Sequence, residues 1–499
     1  MVLPAGMVAV YFSFCRLSEL FLRSDFSGWP RSFPALFRRG DGRRWNRTPA
    51  WFVLGFLVAC GMMQLIPAFQ SPDEIAHLLR ADMISHGQPV LRSEDPGAPG
   101  KTGGLVDVHF LQFAHWMQKI VGPHREDLSP SWLMDQSSLH TWYDDEVFVN
   151  AAGTGYYAPF IYAPHALGLK VSRELDLSMR DSYELTRVLV TLLIFGVVYA
   201  AWQVWQPNLL VKALVLMPMA LFQIISPTID GLCFALALLV LSLFFLQWQE
   251  EGRATGWQAF AFYLAIFLLV TSRTNLVPIV LLPLVLLLRH CTGRRLLAMG
   301  MLLAAIASWV LYALLTTEDN RVPRAFSSVQ IIGFYVRNPG EFLALVGRTI
   351  ADPVQGHRIA SSFVGNLGWG DAPIPGAAMV AIGCGLFLAA ILTVAATRYQ
   401  ASDIGMRAVL LTAGVGSALM AFFLLAVTWN DYPARVVEGL QGRYFIIPAL
   451  FMAAAMGSVS PGPVEPPSKI HKGFALLLAI FCLCVLAATL QGRYGMSVF

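Results

Sequence analysis

Trp51–Phe69 reads WFVLGFLVACGMMQLIPAF, and Gln70–His77 continues it as QSPDEIAH. A charge-free run of that length, coiled as a helix, spans the roughly 30 Å hydrocarbon core of a bilayer. The change to Ser-Pro-Asp-Glu marks the exit into water. Apolar runs of the same kind recur from Trp51 to the C-terminus, and no water-soluble fold could bury them all. The whole chain of 499 residues is 56% hydrophobic and 13% charged, against about 25% charged in a soluble domain. Its mean hydropathy is +0.59. Soluble enzymes, nucleic-acid-binding proteins and disordered scaffolds are excluded, and an all-α polytopic membrane protein remains.

Breaking the chain at charges, Pro/Gly clusters and polar runs gives about eleven spans, near 51–69, 185–204, 210–225, 231–248, 257–270, 276–288, 296–315, 376–396, 407–427, 443–459 and 473–490. The net charge of +4 says less than its placement. With the arginine cluster before Trp51 in the cytoplasm, alternation puts Arg253, Arg289/Arg294/Arg295, Arg398/Arg407 and Lys469/Lys472 inside too. The expectation is a multi-pass membrane protein with a cytoplasmic N-terminus. Residues 1–50 read as an Arg-rich cytoplasmic or interfacial leader, and 51–499 as the transmembrane domain. The cysteines (Cys15, Cys60, Cys233, Cys291, Cys384, Cys482, Cys484) contain no CxxC pair and encode neither a disulfide framework nor a thiolate metal site.

Two connections are too long to be simple turns, about 71–183 and 316–375, and alternation places both outside. Val108 to Phe113 and Gly155 to Tyr162 suit short amphipathic helices in the outer interface. Alternating Arg and aromatic residues (Arg324, Phe326, Phe334, Tyr335, Arg337) suggest the same for the second loop. Ser93 to Gly104, rich in Gly and Pro, reads as a flexible segment.

Chemistry concentrates at the outer span ends. In the first loop Ser71 reads as an N-cap, Pro72 as the first helical residue, and Glu74 as the partner that completes a capping box. Asp73, His77 and Arg80, spaced i, i+4, i+7, share one helix face and offer a carboxylate, an imidazole and a guanidinium; a solvated polar face would look the same. Asp230, Arg273, Asp371, Asp431, Arg435 and Arg443 map to the same side. Outer arginines either snorkel to lipid phosphates or surround a phosphate ligand. Leu440-Gln441-Gly442-Arg443-Tyr444 recurs as Leu490-Gln491-Gly492-Arg493-Tyr494, so Gly-Arg-Tyr can also serve as an interface anchor, above all in its C-terminal copy.

Taken in order, Pro72-Asp73-Glu74-Ile75-Ala76-His77, Tyr156-Tyr157-Ala158-Pro159, Gly368-Trp369-Gly370-Asp371 with Pro373 and Pro375, and Gln441-Gly442-Arg443-Tyr444-Phe445 with Pro448 resemble a family of bacterial polytopic membrane proteins that is itself similar to GT-C glycosyltransferases. The resemblance runs from about Trp51 to Ser458. It implies an inverting glycosyltransferase that passes a sugar from a polyprenyl-phosphate carrier to an envelope glycan or lipid acceptor on the extracytoplasmic face. By that analogy Asp73, with Glu74, forms the acidic catalytic motif and Asp73 is the general base. Arg273 and Arg443 meet the leaving phosphate, while His77, Arg80, Tyr156, Tyr157 and Asp371 complete the substrate site. Some GT-C enzymes use a divalent cation beside the acidic motif and others none, and no oxygen-rich cluster in this sequence decides between them. Two other classes fit the same distribution of charge: a transporter or flippase of lipid-linked glycans, and an envelope-glycan polymerase, ligase or acyltransferase. Uncharged span middles disfavour an ion-coupled transporter.

Overall fold

The computed structural model describes residues 50–94, 101–122, 125–143, 145–249, 256–317, 325–457 and 469–496. The leader, Arg253, Arg324 and the stretch 95–100 lie outside the described residues. The described chain is mostly helical. Among the described residues, six helices are long and apolar enough to cross a membrane: Met179–Val204, Ile229–Gln249, Gly293–Thr316, Gly376–Ala395, Ala401–Thr428 and Ile470–Tyr494. Shorter apolar helices are Trp51–Met63, Gly256–Ser272, Thr274–Arg289 and Gly442–Met456. Large apolar side chains on the long helices, including Leu315, Phe387 and Leu477, face outward, an arrangement only lipid can solvate.

In chain order the elements are α1 (Ala50–Met63), α2 (Glu74–Ser85), β1 (Arg92–Ser93), β2 (Thr102–Asp107), α3 (Val108–Gln118), α4 (Pro130–Ser137), β3 (Glu146–Asn150), α5 (Ala163–Glu174), α6 (Met179–Val204), α7 (Leu209–Val215), α8 (Pro218–Ile225), α9 (Ile229–Gln249), α10 (Gly256–Ser272), α11 (Leu281–Arg289), α12 (Gly293–Thr316), α13 (Ser328–Arg337), α14 (Pro339–Ala351), α15 (Pro353–Val364), β4 (Asn366–Leu367), β5 (Ala372–Pro373), α16 (Gly376–Ala395), α17 (Ile404–Thr428), α18 (Ile446–Met456) and α19 (Lys469–Tyr494). The apolar run 210–225 is two helices, because Pro218 cannot continue α7 and instead opens α8. Thr274–Val280 is a 3₁₀ turn containing Pro278 before α11.

The first long loop is not all-helical. It holds an antiparallel sheet in the order β1-β2-β3, with Gly103 opposite Asn150 and Asp107 opposite Glu146. Thr102 to Gly104, expected to be flexible, begins the central strand. A Cβ at Gly103 would lie 1.9 Å from the Val149 carbonyl oxygen, so glycine there reflects close strand approach rather than freedom. Val108–Gln118 is a helix as expected, but Phe110, Phe113 and Met117 point into the protein core instead of a lipid interface. Its N-cap, Asp107, accepts bonds from the His109 and Phe110 amides at 2.8 and 3.1 Å. In the second loop, α13–α15 carry one face inward, where Ile331, Tyr335 and Leu345 pack on Phe422 and Val427 of α17. Val329, Val336 and Val354 are exposed on these helices.

Arg187, fully buried in α6, ties three helices together. Its Nε donates to the Ile225 carbonyl at 2.8 Å, and Nη1 donates to Met63 and Ile66 carbonyls at 3.0 and 3.1 Å. Ile225 and Met63 end α8 and α1, where carbonyls have no partner within the helix, and Ile66 lies in the turn after α1.

The two copies of Leu-Gln-Gly-Arg-Tyr differ in what their glycines bear. At Gly442 an added Cβ would sit 2.0 Å from Phe363 N and 2.3 Å from Ile359 O, because α15 lies directly against it, whereas at Gly492 it would meet nothing within 4 Å. Gly442→Ala should therefore lower the thermal stability of the detergent-solubilised protein by about 2 kcal/mol or more, in the range of overpacked cores, while Gly492→Ala leaves it within about 0.5 kcal/mol. Equal midpoints for the two variants in a thermal unfolding assay would contradict this packing.

Candidate functional site

The turn from α1 into α2 is shaped by Glu74. Its buried carboxylate accepts the Phe69 amide at 2.9 Å, the Ser71 amide at 2.8 Å and the Tyr183 hydroxyl at 2.6 Å. Holding those two amides over one carboxylate forces Phe69 and Asp73 to φ of 61° and 64°, a left-handed conformation costing each of them about 1 kcal/mol. The helix thus begins two residues later than its capping signals suggest. Asp73, not Ser71, is the N-cap, and the Ser71 hydroxyl makes no hydrogen bond among the described residues. Glu74 makes the reach-back half of a capping box and has its acceptor capacity taken by the fold. Burial pushes its carboxyl above the ordinary glutamate range, although Tyr183, Arg187 and the two amides oppose the shift.

The strained turn points Asp73 at Arg443, which opens the segment leading into α18. Arg443 pairs with Asp73 through Nη2, and its Nη1 donates to Asp230 Oδ2 at 3.0 Å and to the Pro72 carbonyl at 3.2 Å. Asp230, in the first turn of α9, uses its other oxygen to pair with Arg273 at the end of α10. Arg273 lies over the Tyr157 ring at 5.6 Å, and Arg443 over Tyr444 at 5.3 Å. His77, one turn into α2, stands 5.8 Å from the Tyr157 ring and bonds the Tyr162 hydroxyl through Nδ1 at 2.8 Å. Its Nε2 is buried without a partner among the described residues.

Two carboxylates and two guanidiniums make the network neutral. The side chain of Arg443 is 3% exposed and that of Asp73 is 47% exposed, so the cation is fixed and the carboxylate is its accessible partner. Burial by itself would raise the Asp73 carboxyl; Arg443, His77 and Arg273 outweigh it and hold the group below the usual aspartate range. Burial and the Arg273 charge push the His77 imidazole down to about 4 against the pull of Asp73 and Asp230, leaving it neutral at pH 7.

Of the residues singled out in the sequence, Asp73, His77, Tyr157, Arg273 and Arg443 come together, and Asp230 joins them as the bridge. Arg80 does not. Seven residues along a helix is about 10 Å of rise, and its guanidinium donates instead to the Gln88 and Pro89 carbonyls at 3.4 and 2.6 Å. Tyr156 is placed by its carbonyl, which accepts Trp309 Nε1 at 3.1 Å. Asp371 belongs to a second pair. It accepts Arg493 Nη2 at 2.6 Å and the Gly122 amide at 3.0 Å, so the C-terminal Gly-Arg-Tyr copy ties α19 to the loops rather than snorkelling to lipid. Tyr162 and Tyr183 escaped sequence reasoning because nothing in their spacing relates them to α2. Both carboxylates of the network are already paired with arginine, and among the described residues no three His, Cys, Asp or Glu side chains gather as a metal site would require.

Fold and site together define a polytopic helical membrane protein with a buried, charge-neutral network where its first loop meets the span ends. Residues 56–452 match the family described as predicted membrane protein (DUF2142), and the chain belongs to that family. No curated protein matches the sequence.

Two measurements probe this geometry. Glu74→Gln turns one acceptor toward three donors into a donor and should cost about 1–3 kcal/mol, the penalty of a buried unsatisfied group, read as a lower unfolding midpoint; an unchanged midpoint would show that the turn does not depend on the carboxylate. For His77, the unfolded imidazole takes a proton below its ordinary 6.5 while the folded one waits until about 4. Its contribution is present above pH 6.5 and is lost as pH falls from 6.5 toward 4, amounting to about 3 kcal/mol by linkage. His77→Gln should flatten the acid-side fall of the unfolding midpoint in that window, and a parallel fall in both proteins would refute it.

Proposed function

We propose that this protein is a membrane glycosyltransferase of GT-C-like architecture, with about eleven spans, that moves a sugar from a polyprenyl-phosphate carrier to an envelope glycan or lipid acceptor on the extracytoplasmic face. The observation that carries the reading is the pairing of a half-exposed aspartate with a buried, anchored arginine at the loop end of the bundle. Asp73 is ionised at neutral pH and open to an acceptor hydroxyl. In the proposed reaction it takes that hydroxyl's proton while the oxygen attacks the anomeric carbon from the face opposite the phosphate. The bond from that carbon to the phosphate oxygen breaks, and the polyprenyl phosphate leaves with the electron pair. Its charge is met by Arg443 and Arg273, fixed donors that need no reorganisation. Because the resting network is neutral, the arriving phosphate takes the Arg443 Nη2 edge from Asp73 and frees the carboxylate to act as base. His77, neutral and beside Tyr157, holds the wall of the site; Glu74 shapes the turn.

The same reading puts this end outside in a bacterial inner membrane and the N-terminus in the cytoplasm. Arg289 and Arg295 support it. The segment from Arg273 to Arg289 runs away from the site, and Arg295 Nη1 donates to the Leu286 carbonyl at its far end, the side that the positive-inside bias assigns to the cytoplasm.

Mass spectrometry of envelope glycans and polyprenyl-phosphate sugars from cells lacking the protein, complemented with wild type or Asp73→Asn, tests the reading. The expected result is loss of one sugar substituent with accumulation of its carrier-linked donor, rescued by wild type alone; Asp73→Asn should lose about 10²-fold or more in transfer while remaining inserted. Equal rescue by both versions removes Asp73 as the base, and carrier-linked sugar crossing the membrane with no new glycosidic bond would make the protein a flippase.

A further inference from the structure

A groove of about 590 Å³ lies between α19 and the β5 turn that leads into α16, and none of its lining residues belongs to the Asp73 network. Its floor is apolar, built from Phe481, Val485 and Ala488 of α19; its mouth is formed by Arg125 and the Asp371–Arg493 pair. From Phe481 to Arg493 the helix rises about 18 Å, close to the depth of one leaflet of a hydrocarbon core of about 30 Å. That rise matches the separation between acyl depth and headgroup height in a bilayer.

The charges at the mouth do not cancel. Asp371 compensates Arg493, to which it is bonded at 2.6 Å, while Arg125 is exposed and makes no ion pair among the described residues. One positive charge is left over. Thr489 Oγ1, on the groove wall, is buried with no hydrogen-bond partner among the described residues, an uncommitted donor that asks for an acceptor. The entrance is open at Gly492, where an added Cβ would meet nothing within 4 Å. The outward apolar residues Leu476, Leu477 and Ile480 place α19 at the lipid boundary, so a lipid can enter sideways.

We propose that this groove is a binding site for an anionic membrane phospholipid, with one acyl chain along Phe481 to Ala488 and the phosphate at Arg125 beside Thr489. An apolar slot capped by one unpaired guanidinium matches an amphiphile of that build, the charge adding affinity to the buried chain. The site stands independently of the transferase reading.

Native mass spectrometry of the full-length protein in detergent, titrated separately with phosphatidylglycerol, with diacylglycerol and with inorganic phosphate, tests it. Phosphatidylglycerol should be retained, diacylglycerol should bind about tenfold more weakly, and phosphate alone should not bind. Ala488→Trp, which fills the slot, should cut phosphatidylglycerol retention about tenfold, and Arg125→Gln should erase the preference over diacylglycerol. Should Ala488→Trp fail to fold, Gly492→Leu, which narrows the mouth from open space, carries the same expectation. Unchanged retention in the folded slot-filling variant overturns the site; equal binding of diacylglycerol, or binding of phosphate alone, overturns its assignment to a phospholipid.

Discussion

A guanidinium almost wholly removed from water must be compensated, and Arg443 is such a group. An uncompensated buried charge costs several kcal/mol, so the elements that supply its partners cannot drift. Those partners come from the Pro72–Asp73 turn, from the first turn of α9, and, through Asp230, from the end of α10. Segments more than 350 residues apart in sequence are brought to one point. The same pairing that holds the fold closed leaves one component, Asp73, facing solvent, and it is there that an incoming anion can compete.

Behind that contact stands a second layer that moves no charge into solvent. Glu74 gathers two amides and the Tyr183 hydroxyl, and Arg187, one turn further along α6, gathers the carbonyls at the ends of α1 and α8. Adjacent residues of one motif thus divide the labour. Asp73 faces outward at the cost of a left-handed backbone, and Glu74 turns inward to impose that backbone. A carboxylate whose oxygens already accept three hydrogen bonds has little capacity left for substrate, which separates two residues that stand side by side in the sequence.

Much of the architecture was legible because lipid imposes a one-dimensional rule that favours a helix for a charge-free run of sufficient length; the run 51–69 departs from it, being helical only from Ala50 to Met63. The six long spans follow from it, as does the concentration of polar groups in two loops. The sheet in the first loop was not legible. β1 and β3 are short, and β2 contains Gly103 and Gly104, residues that read as flexibility until the Val149 carbonyl is seen pressed against one of them. Capping signals placed the start of α2 to within a few residues and missed its N-cap, since the deciding hydrogen bond to Phe69 lies upstream of the motif.

Hydropathy and the order of charges along the chain settle its class, its membrane residence and the neighbourhood in which polar chemistry is found, because burial in lipid penalises each residue separately. Which charges meet is another matter. Arg443 and Arg493 sit in the same five-residue motif, yet one completes a network with Asp73 and Asp230 while the other pairs with Asp371. Pairing is a property of two positions in space, fixed by where α9, α15 and α19 pack, and a local motif carries no record of the element that will stand opposite it.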